Sequence, residues 1–267
     1  MIKEKNILII DDEEVILNAI KKVVIYEGFT CDTSFSVSES LEKIQETRYG
    51  LIICDIMMPK IDGFEFLNIL KKRKLSTPVV ITTGFSTLEN AVKALYEGAI
   101  GFIPKPFSVE ELTSMIKRGI IYGKIYNEKR TCYLHEKKIS LDFIPCPPKY
   151  YRLGFDSWVM KKNEKFANIG LTDLFLKSIG MVKEIEFMNT DEAVYQGGNC
   201  IKIIDNEDYC HQLLAPISGK IIDINEKIII NKSLLEKDPY FNGWIYKIIA
   251  TDLDNELNNL TPCSSDI

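Results

Sequence analysis

Histidine and tryptophan are scarce, two of each in 267 residues, and no apolar run approaches the roughly 20 residues that span a bilayer. With two histidines and no Cys-x-x-Cys pair, tetrahedral zinc lacks a ligand set. Positive charge is not in excess either. Lys and Arg number 33 against 38 Asp and Glu, giving a net charge of −5 and a pI near 5.3. That balance argues against a general nucleic-acid or membrane-surface binder. Met1-Ile2-Lys3-Glu4-Lys5 leads straight into a strand pattern without the layout of a signal peptide, so an unexported chain is expected. In such a chain the seven scattered cysteines are expected as thiols, not as a disulfide framework. What remains is an ordinary globular composition, 46% apolar and 27% charged, at a length that suggests about two domains.

Over the first half, short apolar runs alternate with amphipathic stretches. Ile7–Ile10, Phe29–Thr33, Leu51–Cys54, Pro78–Thr82 and Ile100–Ile103 read as strands. The pairs Val15-Ile16, Ala19-Ile20 and Val23-Val24 recur at a spacing that buries one helix face. Five βα units of this kind predict a doubly wound, flavodoxin-like α/β sheet, a fold that fixes no function by itself.

Polar residues stand where these strands end: Asp11-Asp12, Asp55, Thr83, and Lys105 within Ile103-Pro104-Lys105-Pro106-Phe107. In an open parallel sheet those ends converge on one crevice. A carboxylate cluster there can hold a hard divalent cation, and a hydroxyl and an ammonium beside it can offset phosphoryl charge. Singly each is weak, since an acidic pair often caps a helix and Lys-Pro is a common turn. Together, with Asp62-Gly63 and Glu97-Gly98-Ala99, the set resembles the receiver domain of two-component response regulators, over about residues 1–128. The resemblance implies Asp55 as phosphoacceptor, with Thr83 and Lys105 completing the catalytic set. It implies Mg²⁺ held by Asp12, Asp55 and the Met57 backbone carbonyl, with Asp11 acting through water. It further implies a switch of Thr83 with Phe102, a cis Lys105–Pro106 bond, and Met57 and Phe85 flanking the path of the hydrolytic water.

From about 129 to 149 the periodicity fails, and Pro145-Cys146-Pro147-Pro148 marks an extended linker. The following segments are β-type. No helix-turn-helix with a basic recognition helix, and no cyclase, phosphodiesterase or kinase core, is present. Trp158-Val159, Gly170-Leu171-Thr172-Asp173, Ala215-Pro216-Ile217-Ser218-Gly219 and Asp238-Pro239-Tyr240-Phe241-Asn242-Gly243-Trp244 occur in order. Over about residues 150–260 this resembles the glycine-cleavage H protein, a flattened β-barrel or sandwich of the biotinyl/lipoyl-carrier type. The resemblance places a lipoyl lysine at a hairpin tip, and the hairpin here runs Ile201–Ile204, Asp205–Asp208, Tyr209–Leu214. The expected lysine position falls at or beside Asp208, whose carboxylate cannot form the lipoyl amide. Asp252–Ile267 reads as a short helix that then frays, with residues 261–267 as the C-terminal tail.

Cys210-His211 and Cys132-x-x-His135 are weak metal or thiol candidates, and buried or incidental cysteines are the simpler reading. Lys71-Lys72-Arg73-Lys74 reads as a solvated helix end. The leading expectation is a cytoplasmic, non-enzymatic signalling protein whose kinase-controlled receiver governs partner binding by a degenerate H-like domain. A sensor histidine kinase is the implied partner; the second domain's partner is unknown, and neither a DNA-binding domain nor a membrane association is expected. A phosphorylation-dependent dimer is compatible with the resemblance. The alternative is a phosphorylation-regulated lipoyl carrier modified at an unexpected lysine.

Overall fold

The computed structural model describes residues 3–134 and 143–266, with side chains for 6–125 and 143–265. It divides into two compact units, the first over 1–90 and 97–139 and the second over 91–96 and 140–267.

Along the chain to residue 134, β1 (Lys3–Ile10), α1 (Glu14–Tyr26), β2 (Cys31–Ser34), α2 (Val37–Glu46) and β3 (Thr47–Asp55) are followed by α3 (Gly63–Lys72), β4 (Val79–Thr83), α4 (Leu88–Tyr96), β5 (Gly101–Pro104) and α5 (Val109–Leu134). The five strands are parallel in the order β2-β1-β3-β4-β5, the expected doubly wound sheet. Ile7, Leu8 and Ile9 in β1 and Leu51 and Ile52 in β3 are fully buried, so both sheet faces are covered and the strands read as unbroken apolar runs. α1 buries Leu17, Ile20 and Val24 at helical spacing. Ser36 caps α2 by accepting from Glu39 N, and Asp62 caps α3 by accepting from Glu65 N. α3 ends at Lys72, with Lys71 and Lys72 in its last turn, so the basic run is the helix end its sequence suggested.

The second unit contains β6 (Tyr151–Leu153), β7 (Ser157–Lys161), β8 (Phe166–Leu171), α6 (Asp173–Ile179), β9 (Val182–Phe187), β10 (Ala193–Val194), β11 (Asn199–Asp205) and β12 (Cys210–Leu214). β13 (Gly219–Ile224), α7 (Glu226–Ile230), α8 (Ser233–Lys237), β14 (Trp244–Ala250), α9 (Leu253–Leu257), β15 (Thr261–Pro262) and a 3₁₀ turn over Cys263–Asp266 complete it. Among the described residues these strands form a seven-stranded sheet, β10-β13-β14-β8-β7-β6-β15, and a three-stranded one, β12-β11-β9, all pairs antiparallel. Tyr246 joins the two sheets from β14: its hydroxyl donates to Cys200 O at 3.1 Å and accepts from Met188 N at 2.8 Å. Trp158, fully buried, donates through Nε1 to Leu171 O at 2.8 Å, with the Tyr150 ring 5.0 Å and the Tyr240 ring 6.3 Å away.

The tail departs from expectation. It does not fray after α9: β15 pairs with β6, and Cys263 N donates to Tyr150 O at 2.9 Å beneath the aromatic cluster. A two-residue strand carries no alternation to read, so only the packing reveals it.

Candidate functional site

The ends of β1, β3, β4 and β5 bring the acidic, hydroxyl and basic residues of the first unit together. Lys105 Nζ lies 2.7 Å from Asp11 Oδ2 and 2.7 Å from Asp55 Oδ1. The carboxylates are 0% and 3% exposed, so the charges of this triad are largely out of water. Burial raises the Asp11 pKa against the opposing pull of Lys105 and of Glu13 N. Burial also works to lower the Lys105 pKa, but hydrogen bonds to Asp11 and Asp55 outweigh it and the net shift is upward. The lysine is firmly an ammonium.

Asp55 Oδ2 accepts from Met57 N, which fixes the carboxylate from the loop side. That loop is held by Gly63 N donating to Ile56 O at 2.9 Å. A Cβ on Gly63 would lie 2.6 Å from Asp55 O and 2.9 Å from Ile56 Cα, so α3 reaches the phosphoacceptor candidate's backbone only because residue 63 is glycine. Thr83 is fully buried and its Oγ1 accepts from Phe85 N at 3.0 Å. Phe102 is half-buried and pairs with Ile81, so it leaves the same sheet face as Ile81 and, one pleat on, Thr83. The Lys105–Pro106 peptide is cis. Asp12 is exposed, as are Met57 at 53% and Phe85 at 63%. Thus Asp11, Asp55 and Lys105 are in contact, Thr83 and Phe102 share a face, and Asp12 stands outside the ion-paired group.

Among the described residues no group of three or more His, Cys, Asp or Glu side chains is gathered as a metal centre. His211 instead pairs with a buried carboxylate, its Nε2 2.8 Å from Asp205 Oδ2. The Cys132–His135 pair falls outside the described side chains. Cys54, buried behind Asp55, has its thiol pKa pushed well up by desolvation, and more weakly by Asp55, Asp11 and Asp62.

In the second unit the hairpin of β11 and β12 has its tip at 206–209. Asp205 Oδ1 accepts from Glu207 N at 2.8 Å and Tyr209 N at 3.0 Å, so one buried side chain organises the turn. Asp208 is exposed in the left-handed region at φ 67°. Its carboxylate pairs with Lys183 Nζ, which arrives from β9. Sequence reasoning missed Lys183: it lies 25 residues from Asp208 along the chain, and nothing in its local sequence marks it.

The two units match two families. Residues 7–117 match the model of the response regulator receiver domain, and residues 149–264 that of the glycine cleavage H-protein. The chain is therefore a response regulator receiver domain followed by an H-protein-like domain. It is similar to the "Probable transcriptional regulator ycf29" of Porphyra purpurea, 28% identical over 191 residues, 71% of this chain and 85% of that protein. It is also similar to the "DNA-binding transcriptional regulator NtrC" of Escherichia coli K12, 31% identical over 127 residues, 48% of this chain. The chain spans only 27% of that NtrC's length. Among solved structures, a glycine cleavage system H protein from Mycobacterium marinum aligns over 40% of this chain and 87% of its own, with 21% identity and a TM-score of 0.37.

Proposed function

We propose that this chain is a cytoplasmic two-component response regulator in which Asp55 accepts a phosphoryl group from a sensor histidine kinase. On this reading residues 1–128 form the switch and 129–149 the linker, whose first residues continue α5 to Leu134. Residues 150–260, with β15 of the 261–267 tail paired to β6, form a partner-binding output domain. The observation that carries it is the single ammonium of Lys105, 2.7 Å from both Asp11 and Asp55 at the C-terminal edge of a parallel sheet.

An Asp55 oxygen attacks the phosphorus of a phosphohistidine while the P–N bond breaks and the departing imidazole nitrogen keeps the electron pair. Lys105 offsets the charge on the transferring group, and Met57 N holds the second Asp55 oxygen in place. Thr83 Oγ1 already accepts from Phe85 N, which leaves its hydroxyl proton to donate to a phosphoryl oxygen. Asp12, Asp55 and the Met57 carbonyl, all hard oxygen donors, would hold Mg²⁺ on this reading, with Asp11 acting through water. When bound, Mg²⁺ supplies further charge neutralisation for the phosphoryl oxygens.

Acetyl phosphate tests the assignment without a kinase. Wild-type protein in Mg²⁺ is expected to gain one phosphoryl group, and Asp55→Asn none while keeping its thermal melt. Labelling of the mutant at the wild-type level overturns the reading.

A second reading, a phosphorylation-regulated lipoyl carrier, is favoured by one observation: the Lys183 amine is held at the hairpin tip by Asp208. Against it, Lys183 belongs to a neighbouring strand and its ammonium is already ion-paired, whereas Asp208 occupies the turn itself.

A further inference from the structure

Thr82, the residue before the switch threonine, is fully buried, and its Oγ1 has no hydrogen-bond partner among the described residues. A buried donor left unpaired is costly, whereas valine, nearly the same shape, would carry no such cost. The hydroxyl is therefore a liability in the structure as it stands.

Its location suggests what relieves that liability. Thr82 pairs in register with Asp55 on β3 and with Ile103 on β5, and its carbonyl accepts from Ile56 N at 3.0 Å. Side chains at paired positions leave the same face of a sheet, and neighbouring strands lie about 4.8 Å apart. Thr82 and Asp55 are thus side by side on one face, a gap that the lengths of the two side chains can close. Thr83, one residue on, leaves the opposite face with Phe102. In the unphosphorylated arrangement both Asp55 oxygens are engaged, Oδ1 by Lys105 and Oδ2 by Met57 N. Phosphorylation adds three strong acceptor oxygens at that carboxyl and draws Lys105 towards them.

We propose that the Thr82 hydroxyl is a positioning donor for phosphorylated Asp55, unpaired before transfer and hydrogen-bonded to the acyl-phosphate carboxyl after it. This rests on Asp55 being the phosphoacceptor. The unpaired hydroxyl raises the free energy of the unphosphorylated state alone and so biases the switch towards the phosphorylated one. Thr83 and Thr82 then read the same event from opposite faces of β4.

The experiment uses the full chain in Mg²⁺ with acetyl phosphate, comparing wild type, Thr82→Val and Thr82→Ser. Wild-type labelling that depends on Asp55 is the control; its failure would sink the phosphoacceptor assignment and not this proposal specifically. Given that control, Thr82→Val is expected to melt at or above the wild-type temperature and to need about tenfold more acetyl phosphate for half-maximal labelling. Thr82→Ser, which keeps the hydroxyl, is expected within twofold of wild type. A Thr82→Val protein that labels like wild type overturns the proposal, as does a Thr82→Ser protein as impaired as the valine variant. Should Thr82→Val fail to fold, Thr82→Ala takes its place with the same two outcomes.

Discussion

Lys105 neutralises two carboxylates with one ammonium, and Met57 N holds the other Asp55 oxygen from the loop that follows it. Two residues past Asp55 and Thr83 stand Met57 and Phe85, 53% and 63% exposed, both apolar. Neither can orient water by hydrogen bonding, and in-line attack on an acyl phosphate needs an oriented water. Slow loss of the phosphoryl group is expected, so the output domain would experience a sustained state. The check is decay of purified phosphoprotein in Mg²⁺ beside a Met57→Asn, Phe85→Glu double mutant. Faster decay by about tenfold in the mutant supports the steric account. Equal decay would show that these exposed side chains stay clear of the water's path.

At the scale of elements, α6 offers a test through titration. Asp173 begins this helix, is 1% exposed, and accepts from Ile144 N at 2.6 Å through Oδ2, while its Oδ1 has no partner among the described residues. Burial raises its pKa, with Ile144 N and Lys177 opposing. A carboxyl whose folded pKa exceeds its unfolded value stabilises the fold below the unfolded pKa, and that contribution is lost as pH rises through the folded one. Stability between pH 4 and neutrality, roughly, should therefore fall more steeply in wild type than in Asp173→Asn, measured by urea unfolding across that range. Parallel slopes would mean that the carboxyl is effectively solvated. The elements themselves were unequally legible. β1 and the centre of β3 announce themselves through isoleucine and leucine runs, and the site residues follow because strand ends converge in a parallel sheet. The first residues of β3, Thr47 to Gly50, carry mixed polarity and were missed; they are strand because Lys3 to Lys5 pair alongside them. Asp208 as the lipoyl position is what the H-protein resemblance implies, whereas the Lys183 pairing and the unpaired Thr82 hydroxyl are tertiary facts that local pattern does not encode.

For the whole molecule, the division of labour between the two units decides which covalent change the chain should carry. The first unit brings a buried carboxylate, proposed as the phosphoacceptor, an ammonium and a hydroxyl to one sheet edge. The second keeps the β architecture and turns of an H protein but puts aspartate at the hairpin tip. A Cβ on Gly219 would fall 2.2 Å from Ile249 O, so the Pro-Ile-Ser-Gly turn is still built to the close packing that only glycine allows. On the proposed reading, scaffold is retained where acceptor chemistry is lost. Intact-mass analysis of the full chain, co-expressed with a lipoate ligase and a bona fide H protein, should therefore show no lipoyl increment on wild type. Asp208→Lys should accept lipoate, most clearly combined with Lys183→Gln, since otherwise two ammoniums would meet where Lys183 and Asp208 now pair. Lysine is less at home than aspartate at φ 67°, so incomplete occupancy is expected even if the hairpin keeps its shape. A lipoyl increment on the wild-type chain, at Lys183 or any other lysine, would make the protein a carrier. The receiver would then control a modified arm and not a docking surface.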